Sequence, residues 1–267
     1  MSSGSFGKAL AAPIFATLRP SLAHLDPGRF PGHDDLNALA GASLASGGGA
    51  PIRFVPPSPA KEPSTPYETR VFETGEVQTR PGNWHDLFNA LVWLAFPRTK
   101  AILNRLHHEQ IVARRGEPQR GTARDVLTLF DEGGVVVGSA DAGLAVLLRD
   151  FRWKELFWTN RASVARSMRF HVFGHAIYEK ALEPYRGVTA KALVVEVAPE
   201  VLCEPTERQL EVLDSRAALH FSAPEALAST RSLAPLPVLG VPGWEPDNER
   251  EEYYDDASQF RPRRSRA

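Results

Sequence analysis

The sequence contains very little cysteine: Cys203 is the single one among 267 residues. One cysteine cannot form a disulfide within the chain, which excludes the small disulfide-stapled folds of secreted proteins. Such low cysteine usage is typical of a reducing compartment, so we expect a cytoplasmic protein. As a lone thiol, this residue is expected to pack against its neighbours or to have no role, rather than to act as a nucleophile.

Long apolar runs are also lacking. The longest, such as Ala90–Phe96 and Ala142–Leu148, fall far short of the roughly 18–20 residues that a transmembrane helix requires. Lys8 and Ala9–Leu18 have a faint likeness to a secretory signal, but Pro13 interrupts the apolar stretch. We therefore expect neither a membrane partner nor export.

The chain has no excess of charge of either sign. It holds 31 Lys and Arg against 32 Asp and Glu, a formal net charge of −1. Its arginines are dispersed rather than clustered on a basic face, so no nucleic-acid partner is expected. The patterns Gly-x-x-x-x-Gly-Lys, Gly-x-Gly-x-x-Gly and Gly-x-Ser-x-Gly are absent, which leaves nucleotide-driven and serine-elbow chemistry unsupported. A small-molecule substrate is the partner that remains open, and the sequence carries no signal of an oligomeric state.

The composition and the helical patterning of the sequence change along the chain. Residues 1–66 combine weak helical patterns with six prolines between positions 51 and 66, and we expect this helical and proline-rich segment to wrap the rest. Residues 67–234 hold the strong helical patterns and form the predicted helical core domain. Residues 235–267 are rich in proline, glycine and acidic residues, and they predict a C-terminal strap with a mobile tail.

Helices are predicted where apolar residues recur at helical spacing, and strands where β-branched runs are short. Asn83, followed three residues later by Asp86, predicts a helix cap. A hairpin is predicted across Asp131-Glu132-Gly133-Gly134. The fold class is therefore α+β, a mostly helical single domain with a small antiparallel sheet or hairpin. The predicted elements are helices at Trp84–Phe96, Arg98–Ala113 and Ser163–Leu182, a helix with a capping box that opens at Thr206, hairpin strands at Val126–Phe130 and Val135–Val137, and a strand at Ala192–Val197.

The richest chemical feature is a four-residue spacing of polar groups. His171, His175 and Glu179 would share one face of the predicted helix Ser163–Leu182. Two imidazoles and a carboxylate can hold a divalent metal or transfer a proton. The helix is apolar on two sides, so an alternative stays open in which His175 is a satisfied core histidine and Glu179 pairs with a nearby basic residue. Gly174 predicts a close approach of a neighbouring backbone.

Two further segments place polar groups where a site could form. His85 shares a helix face with Asn89, while Asp86 at the helix start either caps the helix or belongs to a site. Asp131 and Glu132 are adjacent acids in the predicted hairpin turn. Turns favour such residues for local hydrogen bonds, but a carboxylate pair can also bind a divalent cation or act as a base.

A polar stripe follows the second predicted helix. Its members are Lys100, Asn104, His107 and His108. The stripe is either a solvated face or, if it faces the 163–182 segment, a source of the third protein ligand of a metal site.

Several stretches resemble the signature of a known family. They are residues 83–93 with Phe96-Pro97-Arg98-Thr99-Lys100 and Asn104, residues 127–137, Gly174-His175-Ala176 with Glu179-Lys180, Pro235-Leu236-Pro237, Gly240-Val241-Pro242-Gly243-Trp244 with Asp247-Asn248, and Phe260-Arg261-Pro262. Over roughly residues 65–262 the chain resembles an uncharacterised bacterial family, domain of unknown function 3025. The resemblance implies no activity, since none is established for that family. It implies that six residues lie in the family's signature stretches: His85, Asp86, His107, Asp131, His175 and Glu179.

Three functional hypotheses follow from these residues. The first is a metal-assisted hydrolase that uses a divalent metal such as zinc. The second is a metal-free enzyme in which Glu179 orients His175 as a general base. The third is a non-enzymatic binding or structural protein with a buried polar network. For the first hypothesis the predicted metal ligands are His85, His175 and His107, with Asp131 as the alternative third ligand, and the predicted catalytic groups are Glu179, Asp131 and Asp86.

Overall fold

The structure is a computed structural model that describes residues 6–57, 65–113 and 121–263. Its strands are β1 (Arg53–Val55), β2 (Glu76–Gln78), β3 (Gly134–Ser139), β4 (Met168–Val172), β5 (Thr189–Glu196) and β6 (Ala234–Pro237). Its α-helices are α1 (Phe6–Ala9), α2 (Arg19–Leu22), α3 (His33–Ala40), α4 (Tyr67–Thr74), α5 (Trp84–Ala95), α6 (Pro97–Ala113), α7 (Thr122–Gly133), α8 (Ala142–Arg149), α9 (Arg161–Ser167), α10 (His175–Leu182) and α11 (Thr206–Ser222). Within these described residues, no helix combines the length and the apolar character needed to cross a bilayer.

The larger sheet has four strands in the order β4–β3–β5–β6. β3 pairs antiparallel with β4, with Val136 opposite His171, and parallel with β5, with Val136 opposite Leu193. β6 completes the sheet antiparallel to β5. Every residue of β3 is buried, which explains its run of valines, because a strand covered on both faces has no polar side. A separate two-stranded parallel sheet joins β1 and β2.

The predicted fold class is confirmed: the chain is a mostly helical α+β protein with small sheets. The larger sheet is mixed rather than purely antiparallel, because α8, α9 and α10 lie in the long connection that makes β3 and β5 parallel. Helices α5, α6 and α11 each begin within one residue of the predicted start. The Asn83 side chain caps α5 as predicted, since its Oδ1 accepts a hydrogen bond from the Asp86 backbone N–H at 3.0 Å.

The predicted hairpin is wrong. Val126–Phe130 lies within helix α7, which continues through Asp131 and Glu132 to Gly133 before the chain enters β3. Val126, Leu127 and Phe130 are buried on one face of the helix, and this packing overrides the local β-branched pattern. The two acids therefore lie on the last turn of a helix and not in a turn between strands.

The predicted helix Ser163–Leu182 is also wrong. The chain forms α9, then the strand β4 (Met168–Val172), and only then α10. Residues 168–172 form an edge of the sheet, where β3 supplies their backbone hydrogen-bond partners, so tertiary pairing overrides helical spacing. His171 therefore lies on a strand, while His175 and Glu179 lie on the following helix.

His171 is a satisfied core histidine. Its Nδ1 lies 3.4 Å from Thr17 Oγ1, and its Nε2 lies 3.1 Å from Gln209 Oε1. Burial lowers the pKa of His171 to about 4, because the charged imidazolium would lose its hydration. The capping box predicted at Thr206 is not formed: α11 has no side-chain cap, and Gln209 bonds to His171 instead.

Two chain segments meet where β3 begins and β4 ends. Helix α7 runs directly into β3, while β4 leads out through Gly174 to α10. Because β3 and β4 are antiparallel neighbours, with Val135 opposite Val172, the end of α7 and the start of α10 lie side by side. A Cβ on Gly174 would lie 2.5 Å from the Glu132 carbonyl oxygen, so this contact requires glycine. The close backbone approach predicted at Gly174 is confirmed.

Helix α6 is held by a cap from another helix. The Asp214 carboxylate on α11 accepts hydrogen bonds from the backbone N–H groups of Arg98 and Thr99 at 3.0 and 2.8 Å. It also accepts one from the Thr99 hydroxyl at 2.7 Å. The cap compensates the unpaired N–H groups at this helix start. It thereby fixes the end of α6 next to Lys100, which extends towards α7.

Candidate metal centre

Three side chains converge where α5, α7 and α10 meet. His85 comes from the first turn of α5, Glu132 from the last turn of α7, and His175 is the first residue of α10. One ligand-capable atom from each lies within 4.8 Å of the other two. The ring centroids of His85 and His175 are 4.4 Å apart, and His175 Nε2 lies 3.3 Å from Glu132 Oε2. We call these three residues the His85–Glu132–His175 cluster.

The cluster has the donor chemistry of a catalytic metal site. Two imidazole nitrogens and one carboxylate oxygen form a common ligand set of catalytic zinc, in which a fourth position stays open. The His175 side chain is only 6% exposed and forms the floor, whereas Glu132 is 46% exposed and reaches the surface. A small molecule can therefore approach the cluster from the solvent side.

Glu179 supports the cluster from one helical turn further along α10. Its Oε2 lies 3.0 Å from His85 Nδ1. We assign the ring proton of His85 to Nδ1, because a carboxylate accepts it there, and this leaves Nε2 as the ligand nitrogen. A carboxylate behind a metal-binding histidine fixes the ring orientation in this way in many metal sites.

His175 is held in its neutral form. Burial lowers the pKa of His175 to about 4, and the nearby Asp131 carboxylate only partly opposes this effect. The Lys100 ammonium disfavours protonation of the ring further. Nδ1 of His175 is buried and makes no hydrogen bond of regular geometry with the described residues. A neutral imidazole whose Nε2 faces the Glu132 carboxylate fits a metal ligand.

A buried ion pair lies behind the cluster. Lys100 Nζ on α6 is 2.6 Å from Asp131 Oδ1, and both side chains are largely buried. Burial alone would raise the pKa of Asp131, but the Lys100 charge, with smaller contributions from His175 and His107, lowers it to about 2. Asp131 is thus ionised at neutral pH and is committed to Lys100.

A hydrogen-bond chain extends from this ion pair to the surface. Lys100 Nζ donates to Asn89 Oδ1 at 3.0 Å, and Asn89 Nδ2 donates to the Tyr67 hydroxyl at 3.1 Å. Asn89 lies one helical turn after His85 on α5. The chain therefore joins Asp131, below the cluster, to a tyrosine beside it.

Glu68 lies next to this chain on α4. Asn104 Nδ2 donates to its Oε2 at 2.8 Å and to its backbone carbonyl at 2.9 Å. Burial and the Asp131 carboxylate raise the pKa of Glu68 to about 7, against the opposing charge of Lys100. Asn104 and Lys100 of the predicted polar stripe thus face the protein interior and not solvent.

The predicted site residues are distributed over three environments. His85, His175 and Glu179 lie together, as the metal-site hypothesis requires. Buried His107 lies within the electrostatic reach of Asp131, but the tight cluster of the described residues contains Glu132 in its place. Asp86 points elsewhere: its carboxylate binds Arg80 through the backbone N–H, Nε and Nη2 at 2.8, 2.8 and 2.9 Å.

Sequence reasoning missed part of this arrangement. The sequence shows Glu132 beside Asp131 as an acid pair, but the predicted hairpin puts both in a turn and not on the last turn of a helix. Tyr67 and Glu68 were not identified as site residues. Their α4 helix is joined to α5 through β2, so only the tertiary fold brings these side chains to Asn89 and Asn104.

One cavity in the structure does not coincide with this cluster. It has a volume of about 250 Å³ and lies between the junction of α5 with α6 and α11, with walls that include Leu94, Arg98 and Asp214. No histidine lines it, and the Asp214 carboxylate is already used to cap α6. We place the candidate site at the His85–Glu132–His175 cluster, because ligand atoms that converge on one point are a more specific signal than concavity.

Comparison with known proteins identifies the family. No curated protein and no solved structure shows significant similarity to this chain. The profile of the family described as "Protein of unknown function (DUF3025)" matches residues 52–264, a segment that includes α5, α6, α7 and α10. Every helix that contributes to the cluster therefore lies inside the matched region. Because the match covers well over half of the chain, the protein belongs to the DUF3025 family.

Proposed function

We propose that this protein is a metal-assisted hydrolase of a small-molecule substrate, in which His85, His175 and Glu132 hold a divalent metal such as zinc. The observation that carries the proposal is the convergence of their ligand atoms within 4.8 Å. A metal bound there would polarise the substrate and lower the pKa of a water molecule.

The protonation states of the cluster support metal binding. His175 is neutral near pH 7 because its pKa is lowered to about 4 by burial. His85 presents Nε2 because Glu179 accepts the proton on Nδ1. Glu132 takes the place for which the sequence predicted His107 or Asp131. No ligand has to lose a stabilising salt bridge to a lysine or arginine of the described residues before it binds.

Glu179 is the proposed proton acceptor. One of its carboxylate oxygens binds His85, and the other is available on a side chain that is half exposed at the open side of the site. Asp131 has a positioning role in this proposal, because Lys100 binds its carboxylate below the cluster. Asp86 forms an ion pair with Arg80 at the start of α5 and has no reacting role in this proposal.

The alternative hypotheses differ in what the same geometry would do. A metal-free base is less well supported, since a histidine with a pKa of about 4 is poorly matched to proton abstraction near neutral pH. A structural role is favoured by one observation, the buried Lys100–Asp131 pair. Cytoplasmic location, which the single cysteine supports, is part of the proposal.

Zinc titration of chelator-stripped protein, followed by calorimetry, tests the proposal. We expect one zinc ion per chain in the wild type and loss of binding in His175→Ala. Glu179→Gln should weaken binding by about 10–100-fold, the usual effect of removing the partner of a ligand. His108→Ala is the matched control, because the His108 ring stacks on Phe72, with centroids 4.1 Å apart, and is not a member of the cluster.

The outcomes separate the hypotheses. Wild-type protein that takes up no zinc at micromolar concentration would refute the metal site. If His175→Ala then lowers the melting temperature, the structural role is supported instead. Zinc binding that is abolished by His107→Ala but retained in Glu132→Gln would show that the third ligand is the one predicted from the sequence.

A further inference from the structure

Tyr67 lies beside the proposed metal site although it is distant from it in sequence. It is the first residue of α4 and is 38% exposed. Its hydroxyl is 3.1 Å from Asn89 Nδ2. Asn89 follows His85 by four residues on α5, so the two side chains share a helix face and are separated by about 6 Å along its axis. The hydroxyl therefore lies on the same side of α5 as His85, one helical turn further along the helix.

The direction of the hydrogen-bond chain makes this hydroxyl a donor. Lysine has only donors, so the oxygen of Asn89 must face Lys100 Nζ, which is 3.0 Å away. The amide NH₂ of Asn89 then donates to the Tyr67 oxygen, and the phenol hydrogen has no acceptor among the described residues. Within residues 6–57, 65–113 and 121–263 no hydrogen bond donated by this hydroxyl is found. Burial of the hydroxyl and the Glu68 carboxylate raise the pKa of Tyr67, so the proton stays on it.

The charges around the cluster favour an uncharged substrate. Asp131 and Asp86 are neutralised by Lys100 and Arg80, respectively. The carboxylates of Glu132 and Glu179 contact histidines. Glu68 lies behind them against Asn104, and its pKa is raised to about 7. A divalent cation would balance the negative charges of Glu132 and Glu179 and leave no surplus positive charge for a phosphate ester.

We propose that Tyr67 is a catalytic residue that donates a hydrogen bond to the carbonyl oxygen of an uncharged ester or amide substrate. The inference rests on the metal-assisted hydrolase proposed above. The oxygen of water bonds to the carbonyl carbon, and the π pair of the C=O bond moves onto the oxygen that Tyr67 contacts. A water proton passes to Glu179 and then to the leaving oxygen or nitrogen, whose bond to carbon breaks as the oxygen's electron pair re-forms the C=O bond. The products are a carboxylic acid and an alcohol or amine. A hydrogen bond to the oxygen that gains charge stabilises the transition state.

Acetohydroxamate binding to the zinc-loaded protein tests this role. This probe is uncharged before it binds zinc, and it presents a carbonyl oxygen. We expect Tyr67→Phe to bind it about 10-fold more weakly than the wild type, with unchanged zinc stoichiometry. Tyr185→Phe, which alters an exposed tyrosine beyond the far end of α10, is the control and should bind as the wild type does.

A second variant tests the direction of the hydrogen bonds from Lys100 through Asn89 to Tyr67 without removing the Tyr67 hydroxyl. In Asn89→Asp the new carboxylate can only accept, so it takes the proton of Tyr67 as well as that of Lys100. The phenol is then turned away from the substrate, and acetohydroxamate affinity should fall as far as in Tyr67→Phe. Thermal melts of both variants check that the fold is retained.

The results distinguish this inference from the function on which it rests. If the wild type binds no zinc, the metal site fails and the role of Tyr67 fails with it. If zinc binds but Tyr67→Phe and the wild type bind acetohydroxamate equally, the role of Tyr67 alone is overturned. If inorganic phosphate binds the zinc-loaded protein more tightly than acetohydroxamate, the preference for an uncharged acyl substrate is overturned.

Discussion

Replacing Lys100 with methionine removes the buried cation behind the cluster. The Lys100 side chain is 6% exposed, and its Nζ contacts the Asp131 carboxylate at 2.6 Å. The lowering of the Asp131 pKa from 3.8 to about 2 corresponds to about 2 kcal/mol of stability at neutral pH. Without Lys100, burial raises that pKa instead, because the carboxylate is left without its cation. The full loss for breaking such a pair is about 3–5 kcal/mol, and we expect Lys100→Met to fall in this range at pH 7.

Equilibrium urea unfolding of the metal-free protein at pH 7 measures this loss. The double variant Lys100→Met with Asp131→Leu removes both charges, so it should recover most of the stability, less about 1 kcal/mol for the unpaired Asn89 oxygen. Lys154→Met is the control, because Lys154 forms its ion pairs with Asp255 and Glu251 at the surface and should change stability little. A single variant that unfolds within about 1 kcal/mol of the wild type would refute the reasoning. A double variant no more stable than the single one would refute it equally.

Three further predictions concern the packing around the site. The buried His171 binds its proton only below about pH 4 when folded but near 6.5 when unfolded, so its contribution of up to about 3 kcal/mol is present above pH 6.5 and is lost as the pH falls towards 4. Between these pH values the free energy of unfolding should fall less steeply with falling pH in His171→Gln than in the wild type. An identical pH dependence in the two proteins would contradict the assignment. Gly174→Ala should cost about 1–3 kcal/mol, because its Cβ would lie 2.5 Å from the Glu132 carbonyl oxygen and must displace the backbone at the cluster; a wild-type melting temperature would argue against this contact. Asp214→Ala should lower the free energy of unfolding by about 1–2 kcal/mol through loss of the cap on α6, as measured by urea denaturation, and a smaller effect than Glu211→Ala on the same helix would count against the cap.

The site was partly visible in the sequence because some of its signals are local. The cap of Asn83 and the apolar pattern after it placed His85 on the first turn of α5, where it is found. Gly174 indicated a close backbone contact, which the structure shows against the end of α7. His175 and Glu179 do lie on one helix, α10, but Glu179 contacts His85 and not His175.

The errors came from segments whose fold depends on distant partners. The spacing of His171, His175 and Glu179 satisfied a helix, yet residues 168–172 pair with β3, because the sheet edge offers backbone hydrogen bonds that no local pattern reveals. The reverse error hid Glu132, because the β-branched pattern predicts a strand where Val126, Leu127 and Phe130 pack as one face of α7. Local propensities of this size are readily overridden by burial and pairing.

The sequence by itself determined the residue types of the site and the α+β class, because composition and helical periodicity are properties of short segments. It also carried the family, through stretches that include His85, His175 and Glu179. Only the tertiary structure decided which groups meet. The antiparallel pairing of β3 with β4 brings the end of α7 to the start of α10, and this contact makes Glu132 the third member of the cluster. Lys100 reaches Asp131 for the same reason: the distances are set by packed helices whose residues lie far apart along the chain.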